Sequence, residues 1–258
     1  MYANMTTIGT AVASASIAII IGSRLFYKRE KSDDNVTLVV PPNLGVSLTA
    51  IREFPPFKEW YTTITQNLAS RSDTVLHSVT VRDVYMFGTR IGFVFLDAHV
   101  TMGNVRIPGA VFLRGPSVVV LLWHSDGDGN VYVVMVRQPR VAVGKMMWEA
   151  PAGMIDGNGD VKSRMFDEIR EETGLTVNVS SLVHHTDVRP YTSCGILDEK
   201  MELFSMEVEL SILKSRTSSV CGNVAEGEVI SNVEFISVDD LRAMEDGKLH
   251  MLLSVIDP

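Results

Sequence analysis

Residues 152–175 read AGMIDGNGDVKSRMFDEIREETGL, a loop rich in Gly and Asp followed by a short acidic helix. Gly174 is placed to end that helix, because helices commonly close on a glycine in the left-handed conformation. Glu168, Glu171 and Glu172 stand at i, i+3 and i+4, so their side chains share one helical face. Three like charges at this spacing destabilise a bare helix, whereas hard cations such as Mg²⁺ bind carboxylate oxygens. The stretch therefore predicts either a solvated acidic face or a cation site.

The composition of the whole chain limits the classes of function. The 258 residues are 46% hydrophobic, which is enough for one large domain or for two smaller ones. The net charge is -8 and no basic stripe is present, which excludes a general nucleic-acid binder. A phosphate-bearing ligand must then be held by a few local Arg or Lys side chains and by metal. Cys194 and Cys221 are too few for a disulfide scaffold and indicate a reducing compartment.

The N-terminal 35 residues are set apart from the rest of the chain. Residues 7–22 (TIGTAVASASIAIIIG) are apolar or small, and Arg and Lys residues follow them. A membrane anchor is the favoured interpretation, with the main domain in the cytoplasm by the positive-inside rule. An organelle-targeting leader and a disordered tail are the alternatives. Residues 30–35 (EKSDDN) are predicted to be a polar linker.

Two domains are predicted after this segment. Residues 36–114 carry a helix with apolar residues at helical spacing, followed by strands separated by turn residues. The predicted elements of this domain are a strand at 36–40, a helix at 57–68, and strands at 76–84, 92–100 and 104–113.

Residues 115–258 form the second predicted domain. Residues 116–123 (PSVVVLLW) are nearly all apolar, which is typical of a strand buried on both faces. Residues 126–130 (DGDGN) predict a hairpin turn and lack the Glu that closes a calcium loop. The remaining predicted elements are strands at 131–136, 146–150, 177–184, 201–210 and 233–236, a mobile loop at 215–227, and helices at 239–244 and 250–256.

The spacing within residues 152–175 resembles the signature of the Nudix hydrolases. That signature is Gly, five residues, Glu, seven residues, and then Arg-Glu-U-x-Glu-Glu-x-Gly-U, with U a bulky aliphatic residue. Gly153 matches the first glycine. The second half matches in register at Glu168, Ile169, Glu171, Glu172, Gly174 and Leu175. Two positions differ: Gly159 replaces the early Glu, with Asp160 one place later, and Asp167 replaces the Arg.

Other stretches are similar to the ADP-ribose and ADP-sugar diphosphatase branch of that family, nearest to the plant-type ADP-sugar enzymes. They are 85–95 (YMFGTRIGFVF), 107–116 (IPGAVFLRGP), 137–143 (RQPRVAV) and 148–156 (WEAPAGMID). The resemblance covers residue 36 to the C-terminus. It implies an α/β fold, a Nudix-type α/β/α sandwich with a mixed twisted sheet, plus an N-terminal antiparallel β subdomain that helps to form a homodimer.

The same resemblance implies hydrolysis of the diphosphate of ADP-sugars or ADP-ribose to AMP and sugar phosphate. Metal ions, Mg²⁺ with Mn²⁺ as the alternative, would neutralise the diphosphate and lower the pKa of the attacking water. The implied metal ligands are Glu168 and Glu172 first, then Glu171 and the Ala152 carbonyl. Gly153 would let the backbone approach metal and phosphate closely.

The resemblance also implies a general base in the loop of residues 189–200 (RPYTSCGILDEK). Glu199 is the first candidate and Asp198 the substitute, and Glu171 is a second catalytic candidate. An ordinary loop carboxylate is the alternative interpretation of Glu199. A base must lie within hydrogen-bond reach of the water that it activates.

Substrate contacts are implied at the Gln138-x-Arg140 pair, where Arg140 matches an Arg that contacts phosphate or ribose. A guanidinium fork suits a pair of phosphate oxygens, although a structural salt bridge is the alternative. Glu149 is expected either to hold Arg140 or to approach a metal. The aromatic side chains available to stack on adenine are Trp60, Tyr85, Phe87 and Tyr191.

Asp167 stands where the signature Arg would orient the neighbouring Glu by a salt bridge. Arg164 or Arg170 could supply the missing charge on the same helix. Three functions therefore stay open: a metal-dependent hydrolase, a catalytically weakened Nudix domain that binds a nucleotide as a sensor, and a membrane-tethered scaffold with an accidental match. An Asp167→Arg variant should gain turnover only in a weakened enzyme.

Overall fold

The computed structural model describes residues 28–31, 36–155, 160–187, 189–209, 211, 222 and 229–255. The chain divides into two compact units, the first ending at Arg114 and the second beginning at Gly115. The predicted membrane segment and all but one residue of the predicted loop at 215–227 lie outside the described residues. Within the described ranges, no helix is both long enough and apolar enough to cross a bilayer.

The first unit is a six-stranded sheet in the order β1-β2-β3-β4-β5, with β6 beside β4. Its strand pairs are antiparallel, as predicted, apart from β2 and β3, which are parallel because two helices connect them. Apolar side chains from one face of the sheet pack against these helices. The elements are β1 (Lys28–Lys31), β2 (Thr37–Val40), α1 (Leu48–Glu53), α2 (Pro55–Thr63), β3 (Thr74–Phe87), β4 (Arg90–Met102), β5 (Val105–Ile107) and β6 (Ala110–Leu113).

Three predictions for this unit need correction. The linker predicted at 30–35 is wrong at its start, because β1 pairs with β2 and extends to Lys31. Helix α1 was missed; Ser47 begins it by accepting the N–H of Ala50 at 3.0 Å. The single strand predicted at 104–113 is two strands, interrupted at Gly109, where an added Cβ would overlap the carbonyl of Ala98.

The second unit is built on a seven-stranded sheet in the order β11-β12-β7-β8-β13, with β10 beside β7 and β9 beside β8. Only β12 and β7 run parallel among these pairs, so the sheet is mixed, as predicted. The elements are β7 (Ser117–Ser125), β8 (Val131–Arg140), β9 (Lys145–Glu149), β10 (Ala152–Met154), α3 (Val161–Glu168), β11 (Val183–His185), β12 (Met201–Glu207), β13 (Asn232–Ser237), α4 (Val238–Leu241) and α5 (Gly247–Val255).

Strand β7 lies at the centre of this unit and is buried on both faces, which confirms the interpretation of its apolar run. One face carries Val118 and packs against α3 and the turn after it; the other carries Val119 and packs against α4 and α5. The result is helix, sheet and helix in three layers, the predicted α/β/α sandwich. The layer formed by α3 contains the acidic stretch.

The strand predicted at 177–184 is wrong over most of its length. A 3₁₀ turn occupies Val179–Ser181, and only β11 is extended. Asn178 explains the difference, since its side chain accepts the N–H of Ser180 at 3.0 Å and offers the backbone a local alternative to sheet pairing. The strand predicted at 201–210 ends earlier, at Glu207.

Candidate active site

The acidic stretch forms a capped helix that changes its winding half-way. Asp160 begins α3, its carboxylate accepting the N–H of Ser163 at 2.9 Å. After Glu168 the chain continues as a π-helical turn over Ile169–Thr173, and it ends at Gly174 with φ of 71°. Such turns occur often at functional sites. The predicted glycine cap at Gly174 is confirmed. Asp160, which follows the position where the signature has its early Glu, caps the N-terminus of α3.

Arg164 lies one helical turn before Glu168 and forms an ion pair with it. The Glu168 side chain is only 2% exposed, so a charged partner matters more than at the surface. Arg164 also donates from Nε to the carbonyl of Met154 at 3.0 Å, and its Nη1 lies 4.0 Å from Glu171. One guanidinium thus links the end of β10 to Glu168 and Glu171.

Asp167 points to a different partner. Its carboxylate lies 3.5 Å from Arg170, and both side chains are substantially exposed. Between the two arginines that could stand in for the signature Arg, Arg164 contacts Glu168, while Arg170 pairs with Asp167. The negative charge at position 167 is therefore accommodated on the outer side of the helix.

Glu172 is fully buried beside β10. Its carboxylate accepts the N–H of Ala152 at 2.9 Å and lies 3.5 Å from the amide nitrogen of Gln138, which is itself buried. The next residue, Gly153, faces Glu168 so closely that an added Cβ would overlap the Glu168 carboxylate. These contacts bring Gln138, Ala152 and Gly153 together with both buried glutamates.

The donor chemistry of this cluster fits a hard divalent cation. Glu168 and Glu172 are one turn apart on one buried face, next to the backbone of Ala152 and Gly153, so the available donors are oxygen atoms. Within the part of the chain that the structure describes, no group of three or more His, Cys, Asp or Glu side chains is arranged to hold a metal ion. Binding by all three glutamates would require their carboxylates to turn toward one another.

Arg140 ends β8 and is held by Glu149 through a two-pronged contact, 2.6 Å from Nε and 2.8 Å from Nη2. Lys248, on α5, donates to the same carboxylate at 3.0 Å. Burial acts to raise the pKa of Glu149, but the hydrogen bond from Arg140 and the charges of Lys248 and Arg140 outweigh it and lower the pKa to about 2. Glu149 therefore stays ionised and fixes the plane of the Arg140 guanidinium.

The candidate bases lie in the loop before β12. Glu199 is buried, and its carboxylate accepts the hydroxyl of Thr192 at 2.9 Å. Asp198 accepts the N–H of Gly115 with both oxygens at 3.2 Å. Thr192 also donates its own N–H to the carbonyl of Glu199 at 3.2 Å, so the loop closes on itself around this carboxylate.

The four aromatic candidates for stacking lie in different surroundings. In the first unit, Trp60 packs against Phe57 and Tyr61, while Tyr85 and Phe87 belong to a cluster of aromatic rings on the sheet. Tyr85 is well exposed. Tyr191 is in the second unit, with Nζ of Lys200 placed 5.9 Å from the ring centroid.

Comparison with known proteins decides the family. The NUDIX domain family matches residues 113–253, which is more than half of the chain. The chain belongs to the Nudix family. It is 31% identical over 248 residues to "Nudix hydrolase 14, chloroplastic" of Arabidopsis thaliana, covering 88% of this chain and 78% of that protein.

Two more distant relatives carry the name ADP-ribose pyrophosphatase. The one from Bacillus subtilis is 24% identical over 175 residues, covering 68% of this chain and 87% of its own. The one from Mycobacterium tuberculosis is 25% identical over 159 residues, covering 56% and 76%. As a member of the Nudix hydrolases, this chain is a hydrolase of phosphoric anhydrides, and its predicted α/β class is confirmed.

The second unit also contains contacts that the sequence did not predict. Lys248 lies 99 residues beyond Glu149, and nothing in the local sequence signals that contact. Another such group joins Glu202 of β12 to His184 of β11 and to Arg189 in the loop between them. The pairing of Arg164 with Glu168, by contrast, has a readable signal, because the two residues are spaced i, i+4 on one helix.

Proposed function

We propose that this Nudix protein hydrolyses the diphosphate bond of ADP-sugars or ADP-ribose, giving AMP and sugar phosphate. The observation that carries the proposal is the buried pair Glu168 and Glu172, set against Gly153 and neutralised in part by Arg164. The relatives named ADP-ribose pyrophosphatase support the choice of substrate class. The substrate is a small nucleotide sugar, and a homodimer is the proposed assembly.

A divalent cation, Mg²⁺ with Mn²⁺ as the alternative, would be held by Glu168, Glu171, Glu172 and the carbonyl of Ala152. When bound, it would neutralise diphosphate charge and lower the pKa of the attacking water. The chain's own residues prepare this site: Arg164 pairs with Glu168 and aligns it, and the Ala152 N–H fixes the orientation of Glu172.

Glu199 is the proposed proton acceptor, oriented by the hydroxyl of Thr192. Glu171, more exposed than the other two glutamates of the helix, is the second catalytic candidate. Arg140 would bind a phosphate or ribose oxygen with its plane set by Glu149, and Gln138 would support Glu172 from behind.

Asp167 favours one alternative, a weakened Nudix domain that binds nucleotide as a sensor. The contact between Arg164 and Glu168 argues for the enzyme instead, because it places a positive charge beside Glu168, the proposed metal ligand that the signature Arg would orient. An active enzyme and a sensor would both bind nucleotide, so turnover is the property that separates them.

The test is a product assay with the full chain. Incubation with Mg²⁺ and a panel of ADP-ribose, ADP-glucose and other nucleoside diphosphate compounds should release AMP and sugar phosphate, separated by chromatography. Omitting the cation should abolish release. Nucleotide binding without product from any ADP-linked compound would overturn the proposal in favour of the sensor.

A further inference from the structure

Two side chains of the second unit converge on the carboxylate of Glu202. Arg189 reaches it with Nε at 3.1 Å, and Nε2 of His184 lies 2.8 Å from the same oxygen. Glu202 is only 12% exposed, whereas Arg189 is 53% exposed. His184 in turn stacks on Phe204, with ring centroids 4.3 Å apart and planes 14° from parallel. A nearly buried carboxylate thus holds an arginine whose side chain is half in solvent.

The direction of Glu202 follows from the alternation of β12. Met201 and Leu203 pack on the sheet face covered by α4 and α5, whereas Phe204 and Met206 pack on the face covered by α3. Because alternate residues of a strand point to opposite faces, Glu202 shares the α3 face. The group therefore lies on the same side of the sheet as Glu168 and Glu172.

The register places this group level with the signature loop. Glu202 pairs with Val118 on one side of β7, and Gly153 pairs with Val118 on the other. Neighbouring strands are about 4.8 Å apart, so the Cα atoms of Glu202 and Gly153 are separated by roughly 10 Å across the sheet. Gly153 faces Glu168 directly. A diphosphate seated at the two buried glutamates would share this face of the sheet with the Arg189–Glu202 pair.

We propose that Arg189 is a phosphate-binding residue of this site and that Glu202 and His184 position it. The proposal rests on the proposed function, because it gives the diphosphate a cationic contact in addition to Arg140. Glu202 engages the Nε edge of the guanidinium, and an arginine fixed along one edge loses less conformational freedom when it binds an anion. A chain of net charge -8 needs such local cations to hold a diphosphate.

The test compares Arg189→Met with a matched control, Arg71→Met, in the full chain. Arg71 is similarly exposed, at 58%, and its Nε contacts Asp73 at the same distance of 3.1 Å, but it belongs to the first unit. Two readouts are taken: KM and kcat for ADP-ribose with Mg²⁺, and the affinity for inorganic pyrophosphate by calorimetry. The second readout does not depend on turnover.

Arg189→Met should raise KM about tenfold or more and weaken pyrophosphate binding to a similar degree, since it removes charged hydrogen bonds to the phosphate oxygens. Arg189→Lys should restore part of the pyrophosphate affinity, and Arg71→Met should change neither readout. Glu202→Gln keeps the Arg189 side chain but removes the carboxylate that positions it, so KM should rise while kcat changes less. Thermal unfolding of each variant shows that it is folded; should Arg189→Met fail to fold, Arg189→Lys and Glu202→Gln carry the test.

Unchanged KM and pyrophosphate affinity in folded Arg189 variants would overturn this inference and leave the hydrolase intact. Wild-type protein that releases no AMP would overturn the proposed function. If that inactive protein bound pyrophosphate and the Arg189→Met variant did not, Arg189 would still be a phosphate-binding residue, although the protein would not be a hydrolase of these compounds.

Discussion

The guanidinium of Arg164 forms an ion pair with Glu168 one turn later on α3 and also donates to the carbonyl of Met154 at 3.0 Å. It therefore ties the loop that begins the signature to the buried carboxylate in its second half. The signature Arg belongs next to this Glu in sequence, at the position of Asp167. In this chain Arg164, one turn earlier on the helix, supplies the positive charge instead.

Arg164→Met should lower kcat/KM for ADP-ribose about 10- to 100-fold, because loss of a partner that orients a metal ligand has a cost of that size. Asp167→Arg should change the same parameter little, since Glu168 already has its cation. Arg170→Met is the matched control, an exposed arginine of the same helix that pairs with Asp167. A large gain from Asp167→Arg would instead identify a weakened enzyme.

Gly153→Ala should displace the Glu168 carboxylate, because the added Cβ overlaps it. We expect a loss of about 100-fold in Mg²⁺-dependent turnover, the size of effect that a misplacement of about 1 Å has at a reacting centre. Gly127→Ala is the control, since nothing lies within 4 Å of its added Cβ. Full activity in Gly153→Ala would show that Glu168 is free to move without consequence.

Glu149→Gln should destabilise the protein at neutral pH by about 1–3 kcal/mol, because it removes the charged partner of Arg140 and Lys248. The folded pKa of Glu149, about 2, lies below its ordinary value of 4.5. Its contribution is therefore complete above pH 4.5 and is lost as the pH falls toward 2.

Urea unfolding of wild type and Glu149→Gln at several pH values measures this effect. The gap between their unfolding midpoints should be constant from neutral pH down to about 5 and should then narrow with acid. A gap that widens as the pH falls would contradict the assigned sign.

The sequence predicts this fold well where periodicity is strong. The apolar run of β7 predicts a strand buried on both faces, and β7 is such a strand. It predicts less well where a local hydrogen bond competes, as at Asn178, or where contacts join distant segments, as between Lys248 and Glu149. Arg164 was one of two candidates beside Glu168, and only the helical geometry chose between them.

The group around Glu202 was missed for a related reason. Arg189, His184 and Glu202 come from a loop and two strands, and none of them belongs to the signature. Only the pairing of β12 with β7 places Glu202 level with Gly153. Sheet register of this kind has no marker in a single sequence.

Release of AMP from ADP-ribose by the full chain with Mg²⁺, compared with the same assay on Glu172→Gln, tests the central claim most directly. Glutamine keeps an acceptor for the Ala152 N–H, so the fold should persist while the charge needed for a cation is lost. We predict Mg²⁺-dependent AMP release by the wild type and a loss of at least about 100-fold in the variant. Equal rates in the two proteins would contradict the account.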